Sequence, residues 1–480
     1  MKARPECPYP TGSLRRQVRS RNVELHVPAI SKALAVFYNL KGSGLSSTEI
    51  LADETEDVVD TKFGMFGSDK SPWLAAMIMK GDEECIGWLT EAMTSENNAN
   101  RLQYAYLRAI AISGHTGLLE LEGKLLLAAR LQEGLRQAIM DTISEGRPES
   151  FKYLLNVIID NGLHRYPAVK RGLVLSTGLP ERYAQERYDD KYLTLVQKYI
   201  NDRDAARKAV GSNDAMEVYL GLWALAFHEA DDIKAPVENL IKSAPTYLVQ
   251  TALAMLDVLH YPGLCTALAS EAIHSRPGDH SVLAGVQNMY LKKWEYSRYV
   301  IRNYDQYLLL EDFFPSRKAA EADFEMLTGV ISGMKEDETF SPYGLPGYQV
   351  TLFRSNVAEY IADIALMLDD NVHIDRALDY IVYLEPVWRP RRIRQMIRRP
   401  YSRKMIEYAV NGMGGRVNDM RHECCETVVR LFNEGQLTSE DCRMMEDHLR
   451  LKAADMRVTV IQILSLLDDD DAKASVRRLV

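Results

Sequence analysis

No uninterrupted apolar run in this chain approaches the roughly 20 residues that span a bilayer, so a membrane helix is not expected. Paired cysteine spacing is missing too: the cysteines at 7, 85, 265, 424, 425 and 442 form no disulfide framework in 480 residues, which suits a reducing compartment. Residues 1–20 hold Arg15, Arg16 and Arg19 with Pro5, Pro8 and Pro10 but no apolar core. A secretory signal is therefore not expected, and the cytoplasm is the default location. An excess of basic charge is lacking as well, and a net charge of −9 argues against a surface that coats nucleic acid broadly. Period-two alternation over several residues is scarce, which leaves a sheet-based fold little support. No Gly-x-Ser-x-Gly elbow occurs, and no two carboxylates stand out as an acid and base pair.

What is present is helical patterning in a chain too long for one ordinary core. A hydrophobic content of 46% with 26% charged residues is that of an ordered globular protein. Asp419-Met420-Arg421 opens a segment with Cys424, Cys425, Val428 and Leu431 on one helical face. Asp455-Met456-Arg457 opens another with Val460, Ile461, Leu464 and Leu467 at the same offsets, a period of 36 residues from Met420 to Met456. Two helices per repeat that cannot bury their apolar faces alone are the signature of a stacked array. The fold class expected is all-α, a HEAT-like α-solenoid with a less regular N-terminal helical region.

Pro28–Leu40 and Ser47–Val59 read as helices on either side of Lys41-Gly42-Ser43-Gly44, and Pro72 sits where it can open a helix. Three amphipathic segments follow between Arg101 and Ile143, with stripes Leu102, Tyr106, Ala109 and Ile110, then Leu118, Leu121, Leu125 and Leu126, then Leu135, Ile139 and Ile143. Ser212-Asn213-Asp214 caps a helix that buries Val218, Tyr219, Leu222, Trp223 and Ala226, with a companion over about Ile233–Ile241. A hairpin from Ser243 buries Leu248, Ala252, Met255 and Leu259, turns at Tyr261-Pro262-Gly263 and returns through Leu264, Leu268 and Ile273. Arg276-Pro277-Gly278-Asp279 reads as a turn, and Glu338–Tyr348 is too rich in breakers for a helix. Val350–Leu368 and Ile374–Leu384 are again amphipathic. The division expected is an N-terminal helical region over 1–145, helical hairpins over 146–337, a linker over 338–349 and HEAT-like repeats over 350–480. Val476, Leu479 and Val480 leave apolar surface where a capping repeat would be polar, which implies either that the array continues beyond Val480 or that this surface docks on a partner.

The segments Asn161–Arg171, Asn213–Ala224 and Leu451–Arg457 resemble the helical region of large bacterial proteins of unknown function, relatives of a molybdate-metabolism regulator. The likeness spans roughly residues 150–480. It implies HEAT-like helices and a bacterial cytoplasmic protein, and it carries over no catalytic residue. Some relatives hold a small tryptophan-glycine-arginine domain tied to nucleic-acid-linked proteins, and no such triplet occurs in this chain.

The strongest local anomaly is Trp388–Lys404, where Arg389, Arg391, Arg392, Arg394, Arg398, Arg399, Arg403 and Lys404 occur without one acidic residue. Clustered guanidinium groups can grip phosphates bidentately while Trp388 and Tyr401 stack on bases. The leading reading is different: Asp363, Asp369, Asp370, Asp375 and Asp379 lie on or between the preceding helices, and neighbouring helices would pair these charges as a ladder or present them to a partner. Arg15, Arg16, Arg19 and Arg21 form a second basic stretch, read as solvated surface. His422, Cys424, Cys425 and Cys442 are metal-ligand types, but adjacent helical cysteines diverge by about 100° and read as core. His228-Glu229 lacks the second zincin histidine and reads as a helix end. Gly412, Gly414 and Gly415 lack a Walker lysine and read as a turn. Tyr290, Trp294, Tyr296, Tyr299, Tyr304 and Tyr307 read as helical core packing rather than a groove lining.

The function expected is a non-catalytic helical-repeat scaffold that binds a protein partner or another domain of a longer chain, with neither cofactor nor metal. The alternative is a nucleic-acid-associated regulatory module that uses the arginine cluster.

Overall fold

The computed structural model describes residues 71–95, 102, 104–128, 133–143, 146–179, 190–259, 262–287 and 316–479, apart from 346 and 468. The helices expected over Pro28–Leu40 and Ser47–Val59, the basic stretch Arg15–Arg21 and the aromatic interval Tyr290–Tyr307 lie outside them. The described chain is all-α save for one two-stranded sheet. Contacts divide it into two compact units, one dominated by residues up to Arg276 and the other by residues from Trp294 onward; segment 340–350 belongs to the first unit and 277–287 to the second.

The first unit contains α1 (Ser71–Met79), α2 (Glu83–Thr94), α3 (Tyr104–Ser113), α4 (Thr116–Ala128), α5 (Glu133–Ile143), α6 (Pro148–Asp160), α7 (Pro167–Ser176), α8 (Asp190–Asn201), α9 (Arg203–Val210), α10 (Ala215–His228), α11 (Lys234–Ser243), α12 (Thr246–Val258) and α13 (Pro262–Ser275). Local chemistry explains several starts. The Asp82, Asp202 and Asp214 carboxylates accept free N–H groups of the turns they open, while Pro148 and Pro167 occupy first positions where no N–H is needed. Helices pack on the next but one: α1 on α3, α3 on α5, α5 on α7, and likewise α2 on α4, α4 on α6 and α6 on α8.

The hydrophobic centre of this unit is α10, buried from Ala215 to Phe227 except for half-buried Glu217. Trp223 and Phe227 meet Phe151 of α6 at ring separations of 5.9 and 5.5 Å. The Tyr219 hydroxyl is satisfied by the Thr177 carbonyl at 2.6 Å. The expected stripes of α3 and α5 are buried apart from half-buried Tyr106, but that of α4 is out of phase. Leu118, Leu119, Glu122, Gly123 and Leu126 are buried, whereas Leu121 and Leu125 are only half-covered. That side of α4 packs against α6: a Cβ at Gly123 would lie at ordinary contact distance from Tyr153 and Val157, 3.4 and 3.5 Å. Glu122 is covered on the same side. Its side chain is wholly buried, neither oxygen has a hydrogen-bond partner among the described residues, and burial pushes its pKa up to about 8.

The second unit contains a helix over residues 280–287, then α14 (Arg317–Gly333), α15 (Arg354–Leu368), α16 (Asn371–Leu378), α17 (Arg389–Met396), α18 (Arg403–Gly412), α19 (Asn418–Asn433), α20 (Ser439–His448), α21 (Ala454–Ser465) and α22 (Asp469–Leu479). Two ranks emerge. One runs α15, α17, α19, α21 and the other α16, α18, α20, α22, each helix packed on the next member of its rank. A capping box starts α20, with Thr438 and Asp441 each satisfying the other's backbone N–H.

Two expectations need correction here. The segment read as helical from Val350 begins with strand β2 (Val350–Leu352), paired to β1 (Glu338–Phe340), and α15 starts only at Arg354. β-branched Val350 and Thr351 follow the Pro346-Gly347 break, which favours extended backbone before the helix. The breaker-rich stretch between the strands buries Leu345 and Tyr348. The second correction concerns the repeat. Cys424, Cys425, Val428 and Leu431 are all buried on α19, but of the four equivalents only Val460 is, with Ile461 58% exposed, Leu464 half-covered and Leu467, also half-covered, falling beyond the end of α21. α21 lies on the side of α19 that shields Cys425, and no described helix takes the same place over Ile461.

Candidate functional site

The basic segment sits where rank partners meet. Ile393, Met396 and Ile397 face the core, which turns the intervening arginines outward along both flanks of α17. Ser402 then caps α18 by accepting the Met405 N–H at 3.1 Å. Arginines placed in this way reach carboxylates on the helix pairs before and after them.

Toward the preceding pair, Arg392 meets Asp363 at 2.5 Å and Glu359 at 3.5 Å on α15. Arg398 pairs with Asp369, Lys404 with Asp379 at 2.6 Å, and the Ser402 hydroxyl donates to Asp375 at 2.5 Å. Arg389 Nε donates to the Leu384 carbonyl at 2.7 Å. Asp370, the remaining expected partner, belongs elsewhere: it binds Arg317 and caps α16 through the His373 N–H. Burial pushes both Asp363 and Glu359 above the usual carboxylate range against the pull of Arg392.

Toward the following pair, Arg394 grips Glu423 bidentately at 2.6 and 3.0 Å. Glu434 receives the Tyr401 hydroxyl at 2.8 Å and Arg399 Nε at 3.0 Å, and these donors hold its carboxyl below the ordinary value. Arg403 donates to Asp441 at 2.8 Å and to Glu407 at 2.9 Å. Burial alone would raise Asp441, but Arg403 and Thr438 outweigh it and keep the carboxyl below its usual range. The same pattern continues through Arg421 to Asp455 at 3.1 Å and Arg478 to Glu446 at 2.7 Å. Arg391 alone in the cluster makes no hydrogen bond to a described residue. It is exposed and acts on Asp363 through its charge.

Glu423, Glu434 and Asp441 were missed by sequence reasoning. A signal was available, because Arg399 to Glu434 and Arg403 to Asp441 are separated by nearly the repeat period.

The other candidates fall into structural places. Cys424, Cys425 and Cys442 are buried with thiols raised by burial, the opposite of an activated nucleophile. Among the described residues no group of three or more His, Cys, Asp or Glu side chains is placed to hold a metal. His228 is the exposed last residue of α10. Gly412, Gly414 and Gly415 form the turn out of α18. A Cβ on Gly412 would lie 2.3 Å from Cys424 Sγ, so Gly412→Ala is expected to cost about 2 kcal/mol by overpacking, read as a lower denaturation midpoint. A groove of about 380 Å³ between α19 and α21 is lined by His422, Cys425, Glu426, Val429, Asp455 and Val458; His422 pairs with Glu426 at 3.4 Å, Asp455 is held by Arg421, and the Cys425 thiol is raised by burial.

The fold and site together define an all-α protein of paired helices whose conspicuous basic segment is engaged by its own acidic side chains. The chain belongs to the family of unknown function DUF5724, whose model matches residues 1–480. No curated protein matches it. Among the described residues no helix is long and apolar enough to cross a membrane.

Proposed function

We propose that this protein is a non-catalytic scaffold built as a HEAT-like solenoid, which binds a protein partner in the cytoplasm through helix faces rather than through a reactive pocket. The single observation that carries the reading is the engagement of the arginine cluster. The guanidinium groups that would hold phosphates hold Asp363, Asp369, Glu423, Glu434 and Asp441 instead. Next-but-one packing in both units supports the stacked-array reading, as does the resemblance of residues 150–480 to HEAT-like helices.

A nucleic-acid module would have to break those pairs and desolvate the carboxylates left behind, which opposes binding. The expected result of titrating a short DNA or RNA duplex at low salt is therefore no saturable binding. A steep salt-dependent affinity that falls on replacing Arg394 and Arg399 by Gln would establish the alternative. The scaffold reading itself is tested by affinity capture from the producing cell, followed by cross-linking of the purified partner. Cross-links on exposed faces of the helices support it, and turnover of a small substrate with no protein partner sinks it.

A further inference from the structure

Glu359 and Asp363 stand four residues apart, one turn of α15, and both reach toward α17 for the same guanidinium. Asp363 lies 2.5 Å and Glu359 3.5 Å from one nitrogen, Arg392 Nη2, which holds the two carboxylate oxygens within about 6 Å of each other. The cluster is largely covered, with the side chains of Glu359, Asp363 and Arg392 22, 20 and 14% exposed. Arg394 and Arg403 also reach a second carboxylate each, but Glu426 and Glu407 are about half exposed, where water screens the surplus charge. At Arg392 the surplus negative charge is enclosed.

Neighbouring groups do not cancel it. Arg391 of α17 draws on Asp363, but Glu385, in the turn before α17, acts on Glu359 with the opposite sign. Arg392 Nη1 donates to Gln395 at 3.2 Å, and Tyr360, beside Glu359 on α15, is pushed up by burial and by the two carboxylates. On α14 and α16, Arg376 pairs with Glu325, while Arg317 and His373 pair with Asp370. Tyr383, in the turn after α16, lies under the Arg354 guanidinium at 4.0 Å. One guanidinium therefore faces two carboxylates, and like charges so close in a covered site are relieved by taking up one proton. The longer contact marks Glu359 as its seat, with the titration belonging to the pair.

We propose that Glu359, Asp363 and Arg392 form a proton-operated clamp between α15 and α17, closed while the two carboxylates hold one proton and loosened when that proton leaves. Such a clamp is independent of whether the helices bind a partner. Burial pushes the two carboxyls above their ordinary values of 4.5 and 3.8, so the contribution of the clamp is complete below those values and is lost as the pH rises through the raised folded one. Alkalinisation thus frees α17 from α15.

Hydrogen exchange on α15 and α17 of the full chain, normalised for the intrinsic rate, is expected to show local opening that grows at least about threefold from about pH 5 to about pH 8. Glu359→Gln keeps the clamp neutral throughout and should remove this slope. Asp363→Asn leaves one carboxylate for one guanidinium and should remove it too, which keeps the comparison available if the first variant fails to fold. Glu122→Met should leave the slope unchanged, since that carboxyl lies in the first unit. Infrared difference spectra at about pH 5 should show one protonated carboxyl more in the wild type than in either clamp variant. Opening that stays flat with pH in the wild type, a slope that survives in a folded clamp variant, or equal carboxyl bands in the two proteins overturns the clamp.

Discussion

Replacing Glu122 with Met is expected to stabilise the helices around α4 by about 3 kcal/mol at pH 7 and to abolish a pH dependence of their stability. The cause is the buried carboxyl of α4, which has no hydrogen-bond partner among the described residues. Its folded pKa of about 8 lies above the ordinary value of 4.5. Below pH 4.5 the group is protonated in both states and stability is at its full value. Between pH 4.5 and about 8 the unfolded chain releases its proton while the folded chain keeps it, so stability falls steadily, and above about 8 it levels off. Met has a similar volume and no polar atom to leave unpaired. Gln separates the two contributions, because it removes the titration but leaves a buried amide. Native-state hydrogen exchange on α4 and α6, followed from pH 5 to 8, reads this locally without assuming that the whole chain melts in one step. A wild-type protein with no pH slope in that window would show that Glu122 finds a partner in solution.

The second large effect is expected at Arg403. Its carboxylate partner Asp441 is fully buried, unlike Asp379 opposite Lys404, which is largely exposed. Arg403→Met should cost about 3 kcal/mol because it leaves a buried charge with only Thr438, whereas Lys404→Met should cost less than about 0.5 kcal/mol. Acid distinguishes the mechanism. Asp441 is held below its ordinary value of 3.8, so the contribution of the pair is complete above that pH and is lost as the pH falls through the lower folded value. The deficit of Arg403→Met relative to wild type should therefore shrink on acidification below about pH 3.8. A deficit that is equal at pH 7 and pH 2.5 would point to lost side-chain packing instead.

Helical class, the paired segments after Asp419 and Asp455 and the backward ion pairs of the basic segment were readable from residues alone. Asp363, Asp369 and Asp379 lie close upstream, and the geometry of one helical pair brings them within reach of Arg392, Arg398 and Lys404. The forward partners were not readable, since Glu423, Glu434 and Asp441 come into register only through the turns after Gly412 and Gly435. Neighbours decided the rest. Ile461 repeats the position of Cys425 in sequence but lacks the helix that covers it. Glu122 follows a leucine-rich pattern that places it outward, but α6 packs on that side of α4 and covers it.

The arginines of residues 392–403 bind carboxylates on both sides of themselves, and this has a thermal consequence. When units touch only their neighbours, fraying from one end is the natural mode of melting, and its extent is governed by how strongly adjacent units are coupled. A segment that ties α15 and α16 to α19 and α20 raises that coupling at the midpoint of the rank. On heating, residues 354–448 should then lose structure together as one block rather than peel away helix by helix.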